Sequence, residues 1–299
     1  MAQDKIYKIK IKDQQYSMVS DDLYLNAMGP VWEPHLVALF CSLIKKDNVV
    51  FDVGANVGCV SILFSGLAEK VYSFEPSPTT FKYLSKNIEN AGLRNVTAYN
   101  FGLGSKEGES TITYSPESRS GAFVSNRLKN IGHNHVTEVI KIKTIDDMIR
   151  EQKISKIDVI KMDVEGFEKE VITGARNTLN TFKPVTVLEL NHFCLNALQR
   201  ISVPDFFDFL KSVFPILLAV QGNTFANIYD DSDAYEVLYY NINNNRYSNI
   251  VAAFQQEQLT EFHSRFQHFS TAPQQPATVK SMIRKSLVAA YRMAKKYLG

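Results

Sequence analysis

The sequence predicts an α/β domain: a doubly wound, mostly parallel sheet with helices on both faces. Two observations carry this. Continuous apolar runs such as Val49–Val53 (VVFDV) and Val185–Leu190 (VTVLEL) suit strands covered on both sides. These runs alternate with helix-length segments, as in successive βαβ units. A chain of 299 residues, 45% hydrophobic and 21% charged, can bury a large core and is too apolar for a disordered one.

The elements follow in order. Lys and Ile or Tyr alternate from Ile6 and resume to Val19 after a polar Asp13-Gln14-Gln15 break, which reads as a β-hairpin. His35–Ile44 is apolar and of helix length. Strands are expected at Val49–Val53, Val71–Glu75, Val96–Asn100, Ile157–Asp163, Val185–Leu190, Ile216–Val220 and Asn249–Phe254. Helices are expected at Val57–Leu67, Pro78–Ala91, Glu165–Leu179 and Pro204–Val213. Ser110–Ser115 and Val136–Lys143 alternate like strands around a polar loop, which reads as a hairpin inserted before the fourth main strand. The expected organisation is an N-terminal extension (1–47), a main domain (48–260) and a linker with a basic helix (261–299).

Charge is uneven along the chain. After Glu261 there are seven basic and no acidic residues; since the whole chain carries +2, the first 261 residues stand at −5. An acidic body excludes a strongly basic nucleic-acid binder. In the tail, Val279, Ile283, Leu287, Ala290, Tyr291, Ala294 and Leu298 recur at helical spacing among lysines and arginines. Such a helix suits an anionic membrane surface, its own acidic body or a second copy of the chain in a homo-oligomer. No run approaches the roughly 20 apolar residues of a membrane span, and the N-terminus has no apolar signal segment. Cys41, Cys59 and Cys194 match no disulfide or zinc spacing, which favours a reducing, cytoplasmic setting, with peripheral contact at the inner membrane surface if the tail binds lipid.

The sharpest motif is FDVGANVG, Phe51 to Gly58, where an apolar strand meets a helix. Gly54 and Gly58 allow a tight turn and close approach of backbone to ligand. The dinucleotide fingerprint G-x-G-x-x-G is one residue longer, and Asn56 stands where it has a glycine. Asp52 repels a pyrophosphate but accepts from an ammonium group. Glu75, closing the second strand in SFEPSP, can take both hydroxyls of a ribose. That device alone serves nicotinamide cofactors and S-adenosylmethionine (SAM) equally. With Asp52 and the short turn, SAM is favoured.

DVGANVG, FEPSP, KMDVEGFEKEVITGA and VLEL together resemble the FkbM family of SAM-dependent methyltransferases. The resemblance covers about Val49 to Leu190. It implies a class I methyltransferase fold, a Rossmann-like sheet of seven strands, with methyl transfer to a hydroxyl on a sugar, glycan or natural product. Asp52, Gly54, Asn56, Gly58 and Glu75 would then bind SAM, with Asn100 and Gly102 bordering the adenine and Asp163 at the pocket's edge.

Catalytic candidates lie at the carboxyl ends of the fourth and fifth strands. His192 is the expected general base, because an imidazole titrates near neutrality. Asp163 or Glu189 would orient it or bind the acceptor. Glu165 reads equally well as a charge in a helix's first turn. Asp163, Glu189 and His192 would also suit a divalent cation, but a metal-free site is the preferred expectation. His133 and His135 lie on the inserted loop, where they are more simply exposed polar residues. No N/D-P-P-Y/F segment follows the fourth strand, so a nucleobase amine is not the expected acceptor. The alternatives left open are an N-methyltransferase on a small amine or peptide, a non-catalytic SAM-binding scaffold and a nicotinamide enzyme.

Overall fold

A computed structural model describes residues 4–125 and 135–271. The chain opens with a hairpin, β1 (Lys5–Ile11) and β2 (Gln14–Ser20), paired antiparallel as a sheet of its own. The short helix α1 (Tyr24–Met28) and α2 (Pro34–Leu43) follow. The main sheet begins with β3 (Val49–Val53), α3 (Cys59–Leu67), β4 (Lys70–Phe74), α4 (Pro78–Asn90) and β5 (Val96–Tyr99). Next come β6 (Gly102–Leu103), β7 (Gly108–Ser115), β8 (Ser118–Val124), β9 (Val136–Lys143) and α5 (Ile145–Gln152). The chain returns to the main sheet with β10 (Val159–Met162), α6 (Glu168–Thr173), α7 (Arg176–Phe182) and β11 (Val185–Glu189). A π-helical turn (Cys194–Gln199), α8 (Val203–Lys211), β12 (Ile216–Gln221), β13 (Thr224–Asn227) and α9 (Asp231–Asn244) lead to β14 (Asn249–Ala253). Finally α10 (Thr260–Arg265) precedes β15 (Gln267–His268).

The main sheet runs β15-β13-β12-β14-β11-β10-β3-β4-β5. All seven strands expected from the sequence are neighbours in it. It has nine strands rather than seven, because β13 and β15 extend one edge. The strands from β11 to β5 are parallel, whereas β14 runs antiparallel to both its neighbours, so the sheet is mixed. Side chains alternate between its two faces. Val50, Val159 and Val187 enter the core beneath the N-terminal hairpin, α2 and α3. Phe51, Ile160 and Leu188 enter the core under α5 and α8. This two-sided burial explains why the strands are continuously apolar.

Several expectations need correction. The inserted hairpin β7–β9 is present, but the polar loop between its strands contains β8, and β6 adds at the other side, so the insertion is a four-stranded sheet, β6-β9-β7-β8. The expected helix Glu165–Leu179 is two helices. Gly174 separates them, packed so closely on the neighbouring loop that a Cβ there would lie 2.0 Å from the Gly104 carbonyl oxygen. The main domain does not end at residue 260, because Phe262 and Phe266 are buried and β15 pairs with β13. The basic tail from residue 272, and His133, lie outside the described residues. No helix among the described residues is long and apolar enough to cross a membrane.

The N-terminal hairpin is fastened to the main domain through buried Asn87 on α4. Its Oδ1 accepts from the Val19 amide at 2.7 Å, and its Nδ2 donates to the carbonyls of Val19 (3.0 Å) and Val57 (2.9 Å). Asn87→Ala strands three backbone groups away from water. The expected cost is about 3 kcal/mol in stability, read from the shift in urea midpoint at constant slope.

Candidate active site

The order β5-β4-β3-β10-β11 places the point where the chain reverses direction across the sheet between β3 and β10, the expected ligand crevice of such a fold. A cleft of about 880 Å³, open at its mouth, lies there. The turn after β3 forms its floor. The amides of Gly54 and Ala55 both donate to the Phe74 carbonyl at 3.0 Å, which hangs the turn from the end of β4. Gly54 has φ +79°, and a Cβ on it would lie 1.9 Å from the Asp163 carbonyl oxygen. Asn56 also has a positive φ, +50°. Its Oδ1 faces no protein donor although it is sealed from solvent.

Glu75 is buried at the cleft wall. Its Oε2 accepts from the Asn56 amide and its Oε1 from the Ser77 amide, each at 3.0 Å. Each oxygen keeps a second lone pair, so the carboxylate can still receive a pair of ligand hydroxyls. Burial pushes its pKa up to about 7, against the two amides that lower it. Gly102 lines the cleft on the β5 side. Asn100 does not line it. Its Nδ2 donates to the carbonyls of Glu75 (2.9 Å) and Pro76 (3.1 Å), so it holds the Glu75 turn in place from outside.

Asp52 also needs correction. It is fully buried beneath the cleft, and the ammonium it faces belongs to the protein. Lys161 Nζ on β10 lies 3.2 Å from Asp52 Oδ1 and donates to the Gly54 carbonyl at 2.7 Å. Asp52 Oδ2 accepts from Ser61 at 2.6 Å. Burial lowers the lysine's pKa, but the Asp52 and Asp163 carboxylates outweigh it and hold the ammonium above its ordinary value. Sequence reasoning passed over Lys161. A lone cation inside an apolar strand was the available signal, because such a group needs a buried partner.

At the ends of β10 and β11, carboxylate oxygens of Asp163, Glu165 and Glu189 lie within 4.8 Å of one another. Asp163 and Glu165 line the cleft. Glu189 sits behind them, with Oε2 sealed and unpartnered. Glu165 takes φ +52°, a strained conformation for a residue with a side chain. It accepts from Asn191 Nδ2 and Cys194 Sγ, each at 3.1 Å. Burial first, and then the Asp163 charge, raise its pKa to about 7. Burial likewise raises Glu168 to about 8 and puts Glu189 well above the ordinary carboxyl range. The three oxygens form a donor set that a hard cation accepts, and Lys161 already offsets part of the charge. His192 belongs neither to this cluster nor to the cleft lining. It precedes the π-helical turn by two residues, its Nδ1 is sealed without a protein partner, and it forms no cluster with Asp163 and Glu189 of the kind expected. His135 is exposed.

The roof of the cleft comes from segments that carried no motif. Tyr24 is supplied by α1, and Arg119, Ser120, Ala122 and Val124 by β8. Arg119 lies with its side chain 3% exposed against Asp21 and Asp22. Its Nε, like Thr80 Oγ1 in the same lining, is sealed without a protein partner. The open lone pairs of Glu75, the unpartnered atoms of Asn56, Thr80 and Arg119, and the acidic edge at Asp163 together fit SAM, whose net charge is positive.

The sequence profile of the methyltransferase FkbM domain matches residues 52–214. The chain belongs to that family. The hexuronic acid methyltransferase AglP of Haloferax volcanii is 33% identical over 158 residues, which span 52% of this chain and 61% of that protein. The 2-O-methyltransferase NoeI of Sinorhizobium fredii is 28% identical over 154 residues, 46% of this chain and 61% of the relative. The chain thus matches about six tenths of the length of each relative. A crystal structure of methyltransferase FkbM from Methylobacillus flagellatus aligns with 60% of this chain and 44% of its own, at 18% identity and a TM-score of 0.41. The match begins at Asp52, so Tyr24 and its neighbours precede it.

Two outcomes follow from the site. A carboxyl whose pKa is higher folded than unfolded binds its proton more tightly in the folded state. Its contribution is therefore greatest below the ordinary value of 4.5 and is lost as pH rises through about 7 to 8, the values for Glu75, Glu165 and Glu168. The urea midpoint of the ligand-free protein is expected to fall across that window, and Glu168→Gln to flatten the fall. Gly54→Ala forces the turn off Asp163 and should abolish ligand binding in the cleft, read by calorimetric titration with SAM.

Proposed function

We propose that this chain is a SAM-dependent O-methyltransferase acting on a hydroxyl of a sugar, glycan or related natural product. The observation that carries the reading is Glu165, a strained carboxyl with its pKa raised to about 7, facing the same cleft as the Glu75 cradle. When bound, SAM supplies a methyl group that passes from its sulfonium sulfur to the acceptor oxygen, leaving S-adenosylhomocysteine. Glu75 would receive the ribose hydroxyls, the Gly54–Gly58 turn would let backbone lie close to the ligand, and Gly102 and Leu103, which line the cleft, would border the base. Glu165 takes the proton of an acceptor hydroxyl, and its raised pKa matches that work near neutral pH. Asn191 and Cys194 hold its carboxylate in place.

An amine acceptor needs no such base, so the tuned Glu165 favours oxygen over nitrogen. The relatives lend support: one is named for a hexuronic acid and the other as a 2-O-methyltransferase. The cleft's acidic edge favours the cationic cofactor over a nicotinamide dinucleotide, whose pyrophosphate it would repel.

The test is calorimetry followed by turnover. Wild type should bind SAM, and Glu75→Ala should weaken it by about a hundredfold. With a sugar acceptor, Glu165→Gln should lower kcat by about a hundredfold and leave SAM affinity within about threefold, whereas His192→Ala should be nearly silent. Failure of folded wild type to bind SAM would overturn the reading. Equal turnover by Glu165→Gln would remove the base and reopen transfer to nitrogen.

A further inference from the structure

With the base at Gly102 and Leu103 and the ribose at Glu75, as proposed above, the sheet order sets which way SAM would lie in the cleft: Gly102 and Leu103 follow β5, and Glu75 follows β4. Continuing across the sheet, the next strand is β3 with its glycine turn, and then β10 with Asp163. A nucleoside held at Glu75 therefore sends whatever extends from its 5′ carbon over Gly54–Gly58 toward Asp163. In SAM that extension is an amino-acid tail, with one ammonium and one carboxylate.

The tail end of the cleft has a wall that no motif announced. Tyr24 lines it together with Gly58, Cys59 and Asp163. Burial first, and then the electrostatic influence of Cys59, Glu33 and Asp163, hold its phenol's pKa well above the ordinary value, so it stays a hydrogen-bond donor throughout the working pH range. Asp163, which lines the cleft, offers negative charge to the tail's ammonium. The carboxylate of the tail needs a donor, and Tyr24 is one.

The placement of Tyr24 is built rather than incidental. Asp22, 2% exposed, accepts from the Tyr24 amide at 3.3 Å and from Ser20 Oγ at 2.6 Å on one oxygen. Its other oxygen accepts from the Arg119 amide on β8 at 2.8 Å. The Leu23 amide also donates to the Glu117 carbonyl at 2.8 Å. One buried carboxylate thus joins the N-terminal extension to the inserted sheet, and the joined piece closes the cleft above the tail.

We propose that Tyr24 is a binding residue for the amino-acid tail of SAM, its hydroxyl donating to the tail's carboxylate. This rests on the SAM reading above, and the experiment separates the two. Wild type and Tyr24→Phe, as full chains, are titrated by calorimetry with SAM, with decarboxylated SAM (ammonium kept, carboxylate missing) and with 5′-methylthioadenosine (no amino-acid tail). The expected result is about a tenfold loss of SAM affinity in Tyr24→Phe, with the other two ligands unchanged within about twofold. Unchanged affinity for 5′-methylthioadenosine also shows that the variant's cleft is intact. Equal weakening of all three ligands, or no weakening of SAM, would overturn the proposal while wild-type binding left the cofactor reading standing. Equal weakening of SAM and decarboxylated SAM alone would overturn the carboxylate assignment. No SAM binding by wild type would overturn both.

Discussion

The buried ammonium of Lys161 is the constraint on which the cleft depends. In the parallel register of β10 and β3, Lys161 stands opposite Asp52, so both side chains project from the same face. Their pairing leaves the ammonium free to donate to the carbonyl of Gly54, and the turn is thereby drawn toward the end of β10. That closeness is why residue 54 has no room for a Cβ against Asp163. Breaking such a pair on one side typically costs about 3–5 kcal/mol, because the remaining charge is stranded in the interior. A strand pairing, an ion pair and a glycine are therefore one device. It sets the height of the cleft floor to within the tolerance of a backbone contact.

The same pair explains the electrostatic character of the site. Asp52 is neutralised from below by Lys161 and Ser61, so it adds little field to the cleft. Asp163, Glu165 and Glu75 face the cleft with no cation of their own beyond what Lys161 spares, and Glu189 and Glu168 lie behind them. The raised pKa values of four of these carboxyls come first from burial, with neighbouring carboxylates adding to it. A cationic ligand relieves it by stabilising the ionised forms. The site is thus poorly matched to an anionic dinucleotide and well matched to a sulfonium, independently of any resemblance.

The sheet was legible in the sequence because its strands are buried on both faces and so read as unbroken apolar runs. The glycine turn and Glu75 were legible because each sits at a strand end with a residue type that few other roles require. What stayed hidden depends on contacts between distant segments. Asp52 looked like a ligand's partner because its true partner, Lys161, lies in another strand. Glu165 looked like a helix-start charge because its partners, Asn191 and Cys194, lie beyond the next strand. His192 looked catalytic from its place after β11, yet it does not line the cleft. β8 was missed because SRSGAFV is polar and carries a glycine, and it is a strand only because β7 offers a free edge.

The division between legible floor and illegible roof has a physical basis. The floor is made by β3, β4 and β10, whose geometry any nucleoside-binding sheet of this order must share. The roof is made by the N-terminal extension and β8, which Asp22 and the Leu23–Glu117 backbone bond join, while Asn87 fastens the extension to α4. The floor lies within the family match and the N-terminal part of the roof precedes it. On the proposed reading, an acceptor would enter past the roof, since Glu75 and the turn form the floor. Substitutions in the roof would then alter what can approach Glu165 without disturbing the Lys161–Asp52 pair. The strands would set the chemistry, and selectivity would rest with a cap attached to them through a few buried polar contacts.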